Sequence, residues 1–391
     1  MEERIKFVKL NKSEKKSNID DFNYEKALIV NNFHKSFPEY KETPLVSLDE
    51  LASQLNVKSI RVKDESFRFN LNAFKVLGGS FAIGNYIANK LNMDIKDLPY
   101  EKMTSDEIRS KLGEVTFITA TDGNHGRGIA WTANRLKQNS VVYMPKGSAK
   151  ERLDNIKALG SDASITELNY DEAVRKAYED ASKNGWVFIQ DTTQDGYYDI
   201  PLRIMQGYMS MGLEAYRQID ERPTHIFLQA GVGAMAGAMT AFFSNVYKDE
   251  KPIITIIEPN KADCIFKKAE ANDGKLHFVT GDMDSIMAGL CCGEPCTIGW
   301  NILKDYAENY ISMPDYVAAK GMRVLANNNV VSGESGASTI GFVNEVLTNF
   351  ELDWLKSELK LDENSRILCF STEGDTDKEN YEKIINNEIF K

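Results

Sequence analysis

Short apolar runs alternate with helical segments along most of this chain, and this alternation limits the fold more than any other feature of the sequence. Between the runs lie stretches such as 172–184 and 210–218, in which apolar residues recur at helical spacing. Alternating strands and helices build parallel sheets, because a crossover helix joins one parallel strand to the next. The sequence therefore predicts an α/β protein with parallel sheets. The apolar runs are residues 115–119, 141–144, 163–168, 186–190, 225–228, 253–257 and 367–370.

The composition is that of a large folded protein. The chain has 391 residues, of which 42% are hydrophobic and 27% charged, and this balance excludes both a disordered chain and a small disulfide-stabilised scaffold. Lysine and arginine number 47 against 58 aspartates and glutamates, and no basic run is long enough to follow a phosphate backbone. We therefore expect no nucleic-acid partner.

The sequence indicates a cytoplasmic protein without a membrane segment. Residues 1–6 carry charge where a secretory signal needs an apolar core, and the number of cysteines is odd, which favours a reducing compartment. The stretch 224–247 has no charged residue. Because Gly231 and Gly233 interrupt it, we interpret it as a buried strand, a glycine turn and a helix rather than a membrane span.

Neither the cysteines nor the histidines are spaced as metal ligands. The cysteines at 291, 292 and 296 have no second pair, and the histidines are scattered along the chain. We therefore predict no metal site. A disulfide between this group and Cys264 stays open.

Four segments carry residue types that bind or react with ligands. In open α/β sheets, ligands bind beyond the carboxyl ends of the strands. The glycine-rich turns at 119–128 and 231–237 each follow a predicted strand and open a helix, so their backbone N–H groups can hold an anion. Segment 369–375 places hydroxyl groups at the end of the last strand, and segment 72–80 places Lys75 at the start of a helix. Each segment alone also has an ordinary structural explanation.

The turn at 231–237 supports an alternative function. Glu258 ends the next predicted strand, about 27 residues after Gly231, and mimics the carboxylate that contacts the ribose in dinucleotide-binding folds. A nicotinamide-dependent oxidoreductase therefore stays open at this point.

Taken in chain order, the motifs resemble those of the fold-type II pyridoxal-phosphate enzymes, the group of tryptophan synthase β. Within that group the chain is most similar to the diaminopropionate ammonia-lyases, over roughly residues 43–375. The shared motifs are Thr43-Pro44-Leu45, Val62-Lys63-Asp64-Glu65-Ser66, residues 72–79, 120–128, Gln190-Asp191-Thr192, 231–237 and 288–295.

The resemblance implies a fold, a domain division and an activity. It implies two domains, each with a mainly parallel twisted sheet flanked by helices. Residues 43–88 and 200–391 would form the large pyridoxal-phosphate-binding domain, residues 89–199 the small domain, and residues 1–42 an N-terminal extension. The implied protein is a homodimeric lyase that uses pyridoxal 5'-phosphate to convert D- and L-2,3-diaminopropionate to pyruvate and ammonia. A serine or threonine dehydratase of the same fold is the nearest alternative, and a ligand-binding protein without activity is the non-enzymatic one.

The resemblance also implies which residues bind the cofactor. Lys75 would form the Schiff base, and an amine beside Phe74 in apolar surroundings loses its proton more readily, as a nucleophilic lysine requires. Asn124 would bind the phenolic oxygen. Ser371, with Thr372 as second choice, would meet the ring nitrogen. The phosphate would be held by Gly231, Val232, Gly233, Ala234 and Met235.

The same resemblance implies a substrate site with two carboxylates. Asp122 stands where related dehydratases have a small or hydroxyl residue, and a carboxylate beside the bound carboxylate of the substrate requires a compensating positive charge, which a diamino acid supplies. Asp122 would act as base for the D enantiomer and Asp191 for the L enantiomer. The remaining substrate-binding residues would be Thr121, Gly123, Asn124, His125 and Tyr170.

Overall fold

A computed structural model describes residues 4–10, 16–121, 123–193, 196–275 and 277–390. The chain divides into two compact units. The first unit comprises residues 1–24, 42–67 and 211–391, and the second comprises residues 25–41 and 68–210. The domain boundaries that the resemblance implies, at residues 43, 89 and 200, stay a prediction.

The strands of the described chain form two sheets, one in each unit. In chain order they are β1 (Lys6–Lys9), β2 (Leu45–Ser47), β3 (Ser59–Asp64), β4 (Thr116–Ala120), β5 (Asn139–Met144), β6 (Asp162–Ile165), β7 (Val187–Phe188), β8 (His225–Gln229), β9 (Ile253–Pro259), β10 (Asn309–Met313) and β11 (Arg366–Ser371).

The sheet of the first unit has seven strands in the order β1-β10-β9-β8-β11-β3-β2. The inner strands pair in parallel, whereas β1 and β2 pair antiparallel at the two edges. All five residues of β8 are buried, as expected for a parallel strand covered on both faces. The sheet of the second unit has four parallel strands in the order β6-β5-β4-β7. The predicted α/β class with parallel sheets is confirmed.

The α-helices connect and flank these strands. They are α1 (Tyr24–Lys35), α2 (Asp49–Gln54), α3 (Val76–Lys90), α4 (Tyr100–Met103), α5 (Asp106–Leu112), α6 (Asn124–Arg135), α7 (Lys150–Lys157), α8 (Tyr170–Asn184), α9 (Asp199–Gly207), α10 (Met209–Gln218), α11 (Ala234–Tyr247), α12 (Cys264–Ala271), α13 (Thr297–Tyr306), α14 (Asp315–Asn327), α15 (Glu334–Thr348), α16 (Asp353–Leu359) and α17 (Lys378–Ile385).

Strand β3 was not among the predicted strands because a buried lysine interrupts its apolar pattern. The side chain of Lys63 is fully buried, and its ammonium lies 2.8 Å from the carboxylate of Glu214. It also donates hydrogen bonds to the Thr43 carbonyl at 2.7 Å and to the Gln218 side chain at 2.8 Å. A buried charge with these partners is tolerated in a core, but one strand's own sequence does not reveal partners on other elements.

No helix within the described ranges is long and apolar enough to cross a membrane. The stretch 224–247, which lacks charged residues, contains β8 and α11 with the glycine turn between them. The predicted interpretation of this stretch is confirmed.

Candidate active site

Lys75 stands immediately before α3, and close main-chain contacts hold its backbone. A Cβ atom at Gly128 of α6 would lie 2.8 Å from the Cα of Val76 and 3.3 Å from the carbonyl carbon of Lys75. A Cβ atom at Gly207 of α9 would overlap the carbonyl oxygen of Leu77. Only glycine allows this approach, so two helices fix the start of α3 through their backbones.

The amine of Lys75 has both an aromatic and an acidic neighbour. Its Nζ lies 5.7 Å from the ring centroid of Phe74, and the Phe74 ring packs against Tyr208 with centroids 4.8 Å apart. The same Nζ lies 2.6 Å from Oδ2 of Asp191. The sequence predicted the apolar surroundings, and the structure adds the carboxylate. Two predicted site residues that are distant in sequence therefore form one ion pair.

Asp191 is held in its ionised form. Burial acts to raise the pKa of Asp191, but the positive charges of Lys75 and His125, together with the hydrogen bond from Lys75, hold that pKa below its usual value. The side chain of Asp191 is only 5% exposed, so water does not compete for its oxygens. A buried, ionised carboxylate in contact with an amine can accept a proton from that amine or from a substrate.

Two tyrosines contact Gln190, the residue before Asp191. The hydroxyl of Tyr197 accepts a hydrogen bond from the Gln190 amide and donates one to the Phe188 carbonyl, each at 2.9 Å. Burial raises the pKa of Tyr197 well above its usual value, so its hydroxyl stays a donor. The Gln190 side chain donates to the hydroxyl of Tyr170 at 2.9 Å. Tyr170 therefore contacts the residue next to Asp191, and Tyr197 is a supporting residue that no sequence motif indicated.

The turn before α6 holds most of the predicted substrate-binding residues. The hydroxyl of Thr121 accepts a hydrogen bond from the Gly123 amide at 2.9 Å, and Asn124 is the first residue of α6. His125 Nε2 lies 3.0 Å from the Ile189 carbonyl oxygen, and since a carbonyl only accepts, this nitrogen carries a hydrogen. Asp122 lies outside the described residues.

The glycine turn of the first unit has the geometry of an anion site. Gly233 has a φ of +86°, and the first helical hydrogen bond of α11 runs from the Gly237 amide to the Gly233 carbonyl at 2.8 Å. The amides of Ala234 and Met235 therefore have no acceptor within the helix. A Cβ atom at Gly231 would lie 3.2 Å from Sγ of Cys292. Glycine therefore lets this turn pack against residues 289–292, while the free amides at the start of α11 can bind an anion.

Two buried hydroxyl groups stand at the end of β11. The Ser371 hydroxyl donates a hydrogen bond to the Ser332 hydroxyl at 2.8 Å. The Thr372 hydroxyl accepts a hydrogen bond from the Gln229 side chain at 2.9 Å. Both side chains are hydroxyl donors at the carboxyl end of a parallel strand, where ligands of such sheets bind.

Glu258 has a structural role that accounts for its position. Its two carboxylate oxygens accept hydrogen bonds from the amides of Ile265 at 2.9 Å and Phe266 at 2.6 Å, at the start of α12. Burial raises its pKa well above the usual value. A carboxylate whose two oxygens both accept hydrogen bonds from the protein backbone does not contact a ribose. Glu258 therefore does not support a nicotinamide-dependent oxidoreductase.

No group of histidine, cysteine or carboxylate side chains in the described part of the chain is arranged to hold a metal ion. The five cysteines are free thiols in the structure. Burial raises the pKa of Cys264 well above its usual value, which makes that thiol a poor nucleophile.

Comparisons with known proteins agree with one another. A family model described as pyridoxal-phosphate dependent enzyme matches residues 37–350. A diaminopropionate ammonia-lyase of Salmonella typhimurium is 47% identical over 365 residues, which cover 91% of this chain and 90% of that protein. The crystal structure of the Escherichia coli diaminopropionate ammonia-lyase in complex with D-serine has a TM-score of 0.92 and 41% identity, and covers 99% of this chain and 98% of that chain. A second crystal structure of the Escherichia coli protein, in complex with an aminoacrylate-PLP azomethine reaction intermediate, has a TM-score of 0.90 and 41% identity, and covers 100% of this chain and 98% of that chain.

Proposed function

The chain belongs to the diaminopropionate ammonia-lyases, a family of pyridoxal-phosphate-dependent enzymes, and we propose on this premise that it converts both D- and L-2,3-diaminopropionate to pyruvate and ammonia. The family and the cofactor predicted from the motifs are confirmed. The observation that carries the assignment of residues is the ion pair between Lys75 and Asp191, at 2.6 Å. It supports the assignment of Lys75 as the Schiff-base amine and of Asp191 as a base beside it.

The described residues fit pyridoxal 5'-phosphate. The turn from Gly231 to Met235 leads into the N-terminus of α11, whose free backbone N–H groups suit the phosphate. The Ser371 side chain, a neutral hydroxyl, would hydrogen-bond the ring nitrogen of the cofactor. Asn124 would hydrogen-bond its phenolic oxygen. Lys75, with the Phe74 ring beside it, supplies the amine for the aldehyde. When bound, the cofactor withdraws electrons from the Cα–H bond of the substrate.

The protein's own groups then move the protons. Asp191 accepts the Cα proton of the L enantiomer, and Asp122 accepts that of the D enantiomer. The β-nitrogen, which binds with its positive charge, leaves as ammonia when the C–N bond breaks; where it has first lost its proton, the carboxylic acid so formed or the ammonium of Lys75 returns one. Water replaces the second amine of the remaining three-carbon fragment, which gives pyruvate and a second ammonia. Because Asp191 and Lys75 are already hydrogen-bonded, a proton can pass between them without movement of either backbone.

Charge favours a diamino acid over a hydroxy amino acid. The substrate carboxylate would bind at the turn Thr121–Asn124, whose sequence includes Asp122. Two protein carboxylates and one substrate carboxylate repel one another unless the substrate carries a second positive charge. Diaminopropionate carries that charge on its β-amine, whereas serine does not. His125 and Tyr170 support this site through the contacts described above.

We expect both enantiomers of diaminopropionate to be turned over with a kcat/KM at least about tenfold above that of either serine enantiomer, since a like-charge contact costs at least that factor. Pyruvate release, coupled to lactate dehydrogenase, measures the rates. A higher rate on L-serine or L-threonine would instead favour the dehydratase alternative.

The phosphate turn gives a second expectation. Replacing Gly233 with alanine forces a side chain into a φ of +86°, where its Cβ would lie 3.0 Å from Cδ1 of Ile265, and we expect the affinity for pyridoxal phosphate to fall about tenfold. Gly274→Ala is the matched control, because Gly274 has a φ of +74° and no atom within 4 Å of its would-be Cβ. Equal affinities of the two variants, measured by absorbance titration of the cofactor, would contradict the assignment of this turn.

The family resemblance supports a homodimer in the cytoplasm. A small-molecule amino acid is the expected partner in catalysis, and neither nucleic acid nor a membrane is part of the proposal.

A further inference from the structure

The strand that leads to Asp191 is very short. Strand β7 has only two residues, and it pairs in parallel with the middle of β4. One further backbone hydrogen bond runs from the Ile189 amide to the Ile118 carbonyl at 2.9 Å. The described backbone pairing between these segments therefore stops two residues before Asp191.

The Gln190 side chain continues the connection to β4 where the backbone pairing stops. Its Oε1 accepts a hydrogen bond from the Thr119 hydroxyl at 2.7 Å and a longer one from the Ala120 amide at 3.4 Å. Because a backbone N–H only donates, the oxygen of the Gln190 side chain must be the atom that faces it. The nitrogen of the same side chain donates to the hydroxyl of Tyr170, the first residue of α8. Gln190 is 1% exposed, so water does not compete for these bonds.

These bonds join the two segments that carry the proposed bases. The carboxyl end of β4 leads directly into the turn 121–124, whose sequence includes Asp122. This turn has its own anchor in the sheet, because the Thr121 amide donates to the Tyr143 carbonyl of β5 at 2.9 Å. Among the described residues, the segment with Asp191 has no backbone bond to β4 beyond Ile189. Its position relative to β4 therefore depends on side chains.

The ion pair of Asp191 cannot hold that position throughout the proposed reaction. The ammonium of Lys75 lies 2.6 Å from the Asp191 carboxylate, but Lys75 is no longer an ammonium once its amine bonds the cofactor. Asp191 must then be held by its own segment. His125 and Tyr197 contact the backbone of this segment, and Gln190 bonds it to the end of β4.

We propose that Gln190 is a positioning residue for proton removal from the L enantiomer, because it fixes Asp191 relative to the carboxyl end of β4. This inference rests on the proposed function, which assigns the L enantiomer to Asp191 and the D enantiomer to Asp122. A small displacement of a base lowers the rate steeply, since proton transfer requires hydrogen-bond distance. The turn that contains Asp122 keeps its anchor on β5, so the loss of Gln190 affects one enantiomer selectively.

The test compares the cofactor-loaded wild type with its Gln190→Met variant on each pure enantiomer. Methionine has nearly the length of glutamine but cannot replace its hydrogen bonds. We expect kcat on the L enantiomer to fall about tenfold with little change in KM, and kcat on the D enantiomer to stay within about twofold. Initial rates of pyruvate release give both values. Equal losses on the two enantiomers would overturn the proposal, because they would indicate a general structural defect.

An isotope effect identifies the step that is slowed. With diaminopropionate deuterated at Cα, we expect the isotope effect on kcat for the L enantiomer to be at least as large in Gln190→Met as in the wild type, since proton removal is the affected step. A smaller effect would show that a different step has become slow, and it would overturn the proposal.

Gln138→Met is the matched control on the same strand. The Gln138 side-chain oxygen accepts a hydrogen bond from the Val115 amide at 2.8 Å, just before the amino end of β4. The variant removes a bond of the same kind at the end of the strand where ligands of parallel sheets do not bind. We expect the ratio of the rates on the two enantiomers to stay within about twofold of the wild-type ratio. A change as large as that in Gln190→Met would overturn the proposal.

A second pair of variants protects the test from a folding defect in Gln190→Met. Thr119→Val keeps the shape of the side chain but loses the hydroxyl that bonds Gln190 at 2.7 Å, and we expect about a threefold selective loss on the L enantiomer. Thr119→Ser keeps a hydroxyl and should retain the wild-type ratio. Equal ratios in these two variants would overturn the proposal.

Failure of the proposed function is a distinguishable outcome. If Asp191→Asn lowers the rates on both enantiomers equally, the proposed division between the two bases fails, and this inference fails with it. If Asp191→Asn is selective for the L enantiomer and Gln190→Met is not, only the inference about Gln190 fails.

Discussion

The Lys75→Met variant is expected to lose turnover of both diaminopropionate enantiomers by about 10⁴-fold or more, because the cofactor then has no amine to bond and the leaving group loses one proton donor. Methionine matches the length of the lysine stem and fits beside the Phe74 ring. Pyruvate release measures the loss. In the wild type, borohydride reduction followed by peptide mass spectrometry should place the trapped cofactor on residue 75.

Loss of the ion pair lowers the stability of the Lys75→Met variant independently of its loss of activity, and a double variant separates the two effects. Lys75→Met leaves the buried carboxylate of Asp191 without the ammonium at 2.6 Å, which costs about 3–5 kcal/mol of stability for a buried charge. The Lys75→Met, Asp191→Asn double variant should recover much of that stability and remain inactive. Retained turnover in a folded Lys75→Met protein would show that another group bonds the cofactor.

The Asp191→Asn variant is expected to lose activity on the L enantiomer by about 10²–10⁴-fold, the usual contribution of a general base, with a much smaller loss on the D enantiomer. Asparagine keeps the size of the side chain and its contact with Lys75 but cannot accept the proton. Asp122→Asn is the matched variant, and its losses should be reversed between the enantiomers. Initial rates of pyruvate release from each pure enantiomer give the comparison.

The pH profile distinguishes a base from a residue that only holds the site together. Lys75 and His125 keep the pKa of Asp191 below its usual value, so Asp191 stays ionised in mildly acidic solution. We therefore expect the rate on the L enantiomer to persist there. An equal loss on both enantiomers in Asp191→Asn would refute the division of labour between the two aspartates.

The sequence predicted the sheets wherever strands are continuously apolar. Strands β8 and β9 lie in the middle of the seven-stranded sheet, and their burial leaves a plain apolar run. Strand β3 is also an inner strand, but the buried Lys63 interrupts its apolar run, so the run did not predict a strand. The partners that neutralise this charge lie on other elements and cannot be recognised from the strand's own sequence. The edge strand β1 lies among polar residues, since one side of an edge meets solvent.

The candidate site shows the same division between local and distant information. Lys75 and Asp191 each stand in a recognisable motif, but they are 116 residues apart, and only the fold shows that their side chains meet. Tyr197, which fixes the Gln190 backbone, lies in no motif. Glu258 shows that a local spacing can also suggest the wrong role. Its distance in sequence from the glycine turn is typical of a ribose contact, but its carboxylate caps α12.

The glycine contacts around α3 have a consequence for how this enzyme can be redesigned. Gly128 and Gly207 anchor the reactive lysine through main-chain packing, so its location does not depend on the identity of the side chains that face the substrate. Libraries that randomise those facing positions should therefore yield new selectivities without displacing the nucleophile, provided that both glycines are kept out of the randomised set.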